Sequence, residues 1–160
     1  HIDVEHRLDD VRSPDVVLIP GGFVPRSMAV PGHPLVEWVR TVHPHTQWTT
    51  SVCTGSLILG AAGLLDGIEA TTHWLSYDDL AAFGATPVER RVVTHDRIMT
   101  GAGVSAGIDL ALQLVIELQG VEVAQAIQLG IEYDPQPPVD AGSPSKAPSE
   151  IRELVAALNA

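Results

Sequence analysis

The residue type best suited to nucleophilic chemistry occurs once in this chain, as Cys53 in the stretch SVCTG (residues 51–55). The residues before it, QWTTSV, have strand composition, and those after it, TGSLILGAAGLLDG, read as a helix with Leu57, Ala61 and Leu64 at i, i+4 and i+7 and Gly67 as a stop. A side chain on the turn between such elements stands at the carboxyl edge of a sheet, facing the N–H groups of the new helix. The partial positive charge of a helix N-terminus favours thiolate over thiol, and thiolate is the reactive form. The plainer alternative is that cysteine is among the residue types most often buried, so SVCTG also reads as core filler.

The spacing matches the G-x-S-x-G elbow at its last position, Gly55, with Ser51 in place of the first glycine. Around the thiol the sequence offers three partners. The Thr54 amide can receive developing negative charge, and its hydroxyl can reach a substrate or simply begin the helix. A second donor is expected from the Gly21-Gly22 turn, which ends the other strong strand pattern, DVVLIPGG. His73, in ATTHW, is placed at the end of a further strand, where it orients or deprotonates the thiol or packs beside Trp74. Asp109 and Glu117 read as helix-surface residues. The seven histidines form no HExxH or Cys/His cluster, and His43-Pro44-His45 is a poor metal pair, so no metal and no cofactor are expected.

The elements that position these groups alternate along the chain. Asp15 to Gly22 reads as a fully buried parallel strand, and HPLVEWVRTVH as a helix burying Leu35, Val36, Val39 and Val42. LSYDDLAAFGA gives a short helix closed by Gly84, and PVERRVVTHDRIMTG two strands about a His95-Asp96 turn. SAGIDLALQLVIELQG and VEVAQAIQLGIEY are two helices split at Gly120, the first N-capped by Ser105. The opening HIDVEHRLDDV is weakly strand-like, residues 134–150 form a Pro-rich strap or tail, and EIRELVAALNA makes a last helix. Strands alternating with helices predict an α/β fold with a mainly parallel sheet.

Composition narrows the partners. At 160 residues one domain is expected over 1–160. A net charge of −11 argues against a nucleic-acid partner, since clustered Lys and Arg are lacking. No apolar run is long enough to span a membrane, and the first residues lack the pattern of a secretory leader. A lone cysteine forms no internal disulfide, which fits the reducing cytoplasm. Trp38, Trp48 and Trp74 read as core residues.

DVVLIPGG, SVCTGSLILGAAGLLDG, ATTHW, TGAGVSAGIDLAL and IQLGIEYDPQPPVDAGSP occur in an order that resembles the DJ-1/PfpI superfamily, with the last segment pointing to its isonitrile hydratase branch. The resemblance implies a flavodoxin-like three-layer sandwich of the class I glutamine amidotransferase type and a homodimer. It also implies a small-molecule substrate, an isonitrile, attacked by Cys53 and converted with water to an N-substituted formamide. Thr54 matches the family threonine that assists catalysis, Gly21 and Gly22 the loop facing the cysteine, and His73 the family histidine region. Related domains also sense ligands in AraC-type regulators, and protease-like relatives pair the cysteine with a histidine, so sensing and amidase or peptidase chemistry stand as alternatives. The family's opening strand and helix carry an acid that bonds the cysteine. Asp3, Glu5, Asp9 and Asp10 do not match it, and the chain is expected to be part of a longer one.

Overall fold

The computed structural model describes residues 3–23 and 28–159; His1, Ile2 and Ala160, at the ends of the expected first and last elements, lie outside them. The chain divides into two compact units, His1–Ala111 and Leu112–Ala160. Among the described residues the first element of unit one is not a strand but a 3-10 turn at Leu8–Asp10, whose Asp10 carboxylate accepts the Arg7 amide at 3.1 Å. A polar side chain so close in sequence draws the backbone into a turn rather than a ladder. Trp38 then ties down the following segment, its indole N–H donating to the Val11 carbonyl at 2.8 Å.

In the first unit the sequence alternates as its composition predicts. β1 (Val16–Ile19), α1 (Pro34–Val42), β2 (Trp48–Val52) and α2 (Gly55–Ala61) are followed by β3 (Glu69–Ala70), α3 (Tyr77–Ala81) and β4 (Thr86–Pro87). β5 (Val92–His95), β6 (Ile98–Gly101) and the first turns of α4 (Ala106–Gln119) complete it. The main sheet runs β1-β2-β6-β5, with β1, β2 and β6 parallel and β5 joined antiparallel to β6. Asp96 takes positive φ in the β5–β6 turn, a conformation Asp tolerates better than most residues.

Because strand side chains alternate, the two faces of this sheet carry different cores. Val17, Ile19 and Ile98 pack with Val36, Val39 and Val42 of α1 and with α2, all seven of whose residues are buried. On the opposite face α4 begins over Val52 and Gly101: a Cβ built on Gly107 would meet Val52, and one on Gly101 would meet Leu110. Helices thus flank a mostly parallel sheet, the flavodoxin-like α/β class.

Several elements depart from their sequence reading. β1 is not fully buried: Val17 and Ile19 face the core, whereas Leu18, on the alternate face, is 49% exposed. α2 stops at Ala61, well before Gly67, since Gly63 already has φ +78°. Of ATTHW only Ala70 lies in a strand, β3, which pairs with β4 in a separate two-stranded sheet, and His73 stands at the N-cap of a 3-10 turn, Trp74–Ser76.

The second unit holds the remainder of α4, α5 (Val121–Gly130) and α6 (Ser149–Leu158). Gly120, at φ +89°, divides α4 from α5 as its sequence position suggested. The Pro-rich segment carries a hydrogen-bonded turn in which the Ser143 carbonyl accepts the amides of Lys146 and Ala147, and Lys146 pairs with Asp140 at 2.7 Å.

At the amino end of β2, His43 Nδ1 lies 2.9 Å from Thr49 Oγ1, which is also 2.8 Å from Thr46 Oγ1. Burial, and secondarily the positive charge of Arg97, hold His43 below the usual histidine range. A histidine that resists protonation when folded binds fewer protons than the unfolded chain, so stability is full above the unfolded value of about 6.5 and declines as pH falls through it. Urea titrations at pH 7.5 and 5 should therefore show loss of stability at the lower pH. His43→Gln should shrink that difference, leaving the part due to His73, which is shifted in the same direction.

Candidate active site

Cys53 stands at the junction of β2 and α2 with φ +57°, in the left-handed region that residues other than glycine seldom adopt. Both of its backbone polar groups are fixed. Its N–H donates to the carbonyls of Gly101 (3.0 Å) and Ala102 (2.8 Å), at the end of the neighbouring strand β6. Its carbonyl accepts from the Ser56 amide (3.4 Å), the Ser56 hydroxyl (3.1 Å) and the Thr72 hydroxyl (3.0 Å). The turn is thereby held from β6, from α2 and from the segment after β3. The side chain is 8% exposed, enough for a shielded nucleophile and too little for a surface thiol.

Two glycines let the backbone close around it. A Cβ on Gly21 would lie 2.5 Å from Cys53 Cβ and 2.9 Å from Sγ, so this residue forms the wall of the thiol and no side chain fits there. A Cβ on Gly55 would lie 2.2 Å from the Ile19 carbonyl oxygen, so α2 can start against the end of β1 only with glycine at this place. The carboxyl ends of β1 and β2 are adjacent in register, Ile19 beside Ser51, as the pairing of the two turns required.

Thr54 begins α2, as one of its two sequence readings had it. Its hydroxyl donates to the Gly22 carbonyl at 2.8 Å and accepts the Gly22 amide at 3.1 Å, clasping the Gly21-Gly22 loop to the elbow. The Gly22 amide is therefore engaged by Thr54 rather than directed at a substrate.

His73 is joined to the elbow through its neighbour, since Thr72 donates to the Cys53 carbonyl. On its other side a Cβ on Gly103 would come within 3.5 Å of the imidazole Cδ2. His73 Nδ1 accepts the Leu75 amide at 3.4 Å, and burial lowers the ring's pKa. With Nδ1 accepting, the neutral ring carries its proton on Nε2 and offers a donor there. A base that takes a thiol proton through Nε2 needs the opposite tautomer. The ring also packs beside Trp74, with centroids 6.1 Å apart.

The structure thus brings Gly21 against Cys53 and Gly22 onto Thr54, and links His73 to the elbow through the Thr72 hydrogen bond. Sequence reasoning passed over Thr72 and Ser56, whose hydroxyls both hold the Cys53 carbonyl. Their signal was faint: both are small polar residues in apolar surroundings, and both are fully buried. Among the described residues no group of three or more His, Cys, Asp or Glu could hold a metal ion.

Replacing Gly21 with Ala should slow alkylation of Cys53 by iodoacetamide by about tenfold or more, because the added methyl occupies the space beside Sγ. Intact-mass labelling kinetics on the folded variant check this. Unchanged labelling would remove Gly21 from the site.

Comparison with known proteins follows this geometry. The DJ-1/PfpI family matches residues 1–117. An isonitrile hydratase from Pseudomonas putida is 48% identical over 137 residues, covering 86% of this chain and 60% of that protein. The crystal structure of a ThiJ/PfpI family protein from Pseudomonas syringae superposes with a TM-score of 0.85 at 44% identity, covering 92% of this chain and 61% of that one. The HTH-type transcriptional regulator CdhR of Pseudomonas aeruginosa is 32% identical over 77% of this chain and 37% of its own length. The chain spans about three-fifths of the length of the hydratase and of the solved structure.

Proposed function

The chain belongs to the DJ-1/PfpI family, and from that premise we propose that it serves the hydration of an isonitrile to an N-substituted formamide, with Cys53 as nucleophile. The observation that carries this reading is the left-handed backbone at Cys53, fixed through both its N–H and its carbonyl and opening a helix. Such geometry is that of a nucleophile elbow at the end of a strand rather than of a cysteine within a regular core element. The similarity to the Pseudomonas putida hydratase supplies the substrate class.

The steps need only the thiol and water. The Cys53 thiolate adds to the terminal isonitrile carbon, that carbon takes up a proton, and a thioimidate R–N=CH–S–Cys results. Water then adds to the same carbon, the C–S bond breaks, and the product R–NH–CHO leaves with the thiol restored. The amides of Gly21 and Thr54 stabilise charge as it develops near the reacting carbon. Thr54 contributes by holding the Gly21-Gly22 loop in place, and His73 by offering its Nε2 proton. The lone thiol supports a reducing cytoplasmic setting, and the family resemblance supports a homodimer.

A second reading, ligand sensing without turnover, rests on the similarity to CdhR, a transcriptional regulator. Cys-His amidase or peptidase chemistry is less well supported, because the Nδ1 contact of His73 selects the tautomer unsuited to a base at Nε2.

Incubation of the intact protein with cyclohexyl isocyanide should yield N-cyclohexylformamide, and Cys53→Ala should abolish it. Binding of the isocyanide without product would favour sensing. Thr54→Val, which loses the clasp on Gly22, should lower kcat by about a hundredfold, whereas Thr54→Ser, which keeps a hydroxyl, should restore most of it. Equal activity of the two variants would remove the clasp from the mechanism.

A further inference from the structure

The end of β6 and the segment leading into α4 meet both candidate residues, Cys53 through its backbone and His73 through its ring. The Gly101 and Ala102 carbonyls accept the Cys53 N–H, and Gly103 lies against the His73 ring. This segment is in turn held by Arg91, which immediately precedes β5. The Arg91 carbonyl accepts the Ala102 amide at 2.9 Å. Its guanidinium donates to the Ser105 carbonyl at 2.9 Å and the Ser105 hydroxyl at 3.3 Å, and its Nε pairs with the Asp109 carboxylate in the first turn of α4. Ser105, which the sequence suggested as a helix cap, therefore serves as an acceptor for Arg91.

The Arg91 side chain is 49% exposed, and an ion pair in that setting contributes little to global stability. Its value lies in shape. A guanidinium is planar, and its several donors have a fixed relative geometry that a lysine ammonium does not reproduce. One fork here reaches a backbone carbonyl, a hydroxyl and a carboxylate along a stretch of five residues, 105–109. With the Arg91 carbonyl on Ala102, both ends of residues 102–105 are fixed from a single point.

We propose that Arg91, braced by Asp109, is a positioning residue of the candidate active site, holding the loop that anchors the Cys53 amide and walls the His73 ring. It acts through Gly101, Ala102 and Gly103. The proposal deepens the reading of Cys53 as a working nucleophile, but its first test needs no substrate.

In the intact protein, amide hydrogen exchange should show Arg91→Met raising the exchange rates of the Cys53 and Ala102 amides by about tenfold or more. The Thr49 amide, bonded to the Arg97 carbonyl at the other end of β2, should be unchanged. Arg91→Lys, with a charge but no fork, should restore only part of the protection. Should Arg91→Met fail to fold, Asp109→Asn tests the same brace and should show a smaller effect at the same two amides. Wild-type protection at Cys53 and Ala102, or a uniform loss that includes Thr49, would overturn the proposal. Where the wild-type protein hydrates an isocyanide, Arg91→Met should lower kcat by about tenfold with KM changed less than about twofold. A wild-type protein without turnover defeats the hydratase reading alone, since the exchange result still decides the role of Arg91.

Discussion

Everything around the candidate site follows from one backbone conformation, the positive φ of Cys53. A left-handed residue with a Cβ costs about 1–2 kcal/mol, and it persists only where its surroundings determine it. Here they do so from three directions: β6 takes the N–H, while Ser56 and Thr72 together take the carbonyl. Each such bond contributes about 1 kcal/mol net, enough in combination to offset the strain. The parallel pairing of β1 with β2 and of β2 with β6 exists in the same place because the elbow needs a carboxyl edge on either side.

Much of this was legible in the residues. A strand pattern, a cysteine and a helix beginning with small residues announced the elbow, and DVVLIPGG announced the neighbouring turn. These signals are local, and local chemistry governs them. What stayed hidden depends on partners distant in sequence. Nothing in DVVLIPGG says that Leu18, on the face opposite to Val17 and Ile19, is left exposed, because what covers a face is a property of the whole fold. ATTHW has the β-branched composition of a longer strand, yet Thr71 and Thr72 turn away to bond Thr100 and Cys53. The helical pattern after Cys53 overshot because Gly63 breaks it before the apolar spacing ends.

The roles of Thr54 and His73 show a similar limit. Sequence gives the groups each side chain carries, whereas the partners already engaged decide what remains for a substrate. A threonine hydroxyl that clasps Gly22 has both its proton and an acceptor position in use. A histidine whose Nδ1 faces its own backbone has its tautomer chosen before any ligand arrives. Sequence similarity extends to proteins named as a hydratase and as a transcriptional regulator, so such small assignments, more than the scaffold, separate one use of it from another.

The complete burial of α2 has a consequence for how such a protein can diversify. A helix with seven enclosed residues, closed at its carboxyl end by Arg40 donating to the Ala61 and Ala62 carbonyls, has no surface on which to accumulate new polar contacts. Variation there is met at once by packing, whether by the Ile19 carbonyl at Gly55 or by Phe83 at Gly60. The nucleophile therefore sits immediately before an element whose packing leaves little room for change. New ligand preferences must be recruited from the connecting loops, leaving the reactive atom as the fixed point about which a family's chemistries diverge.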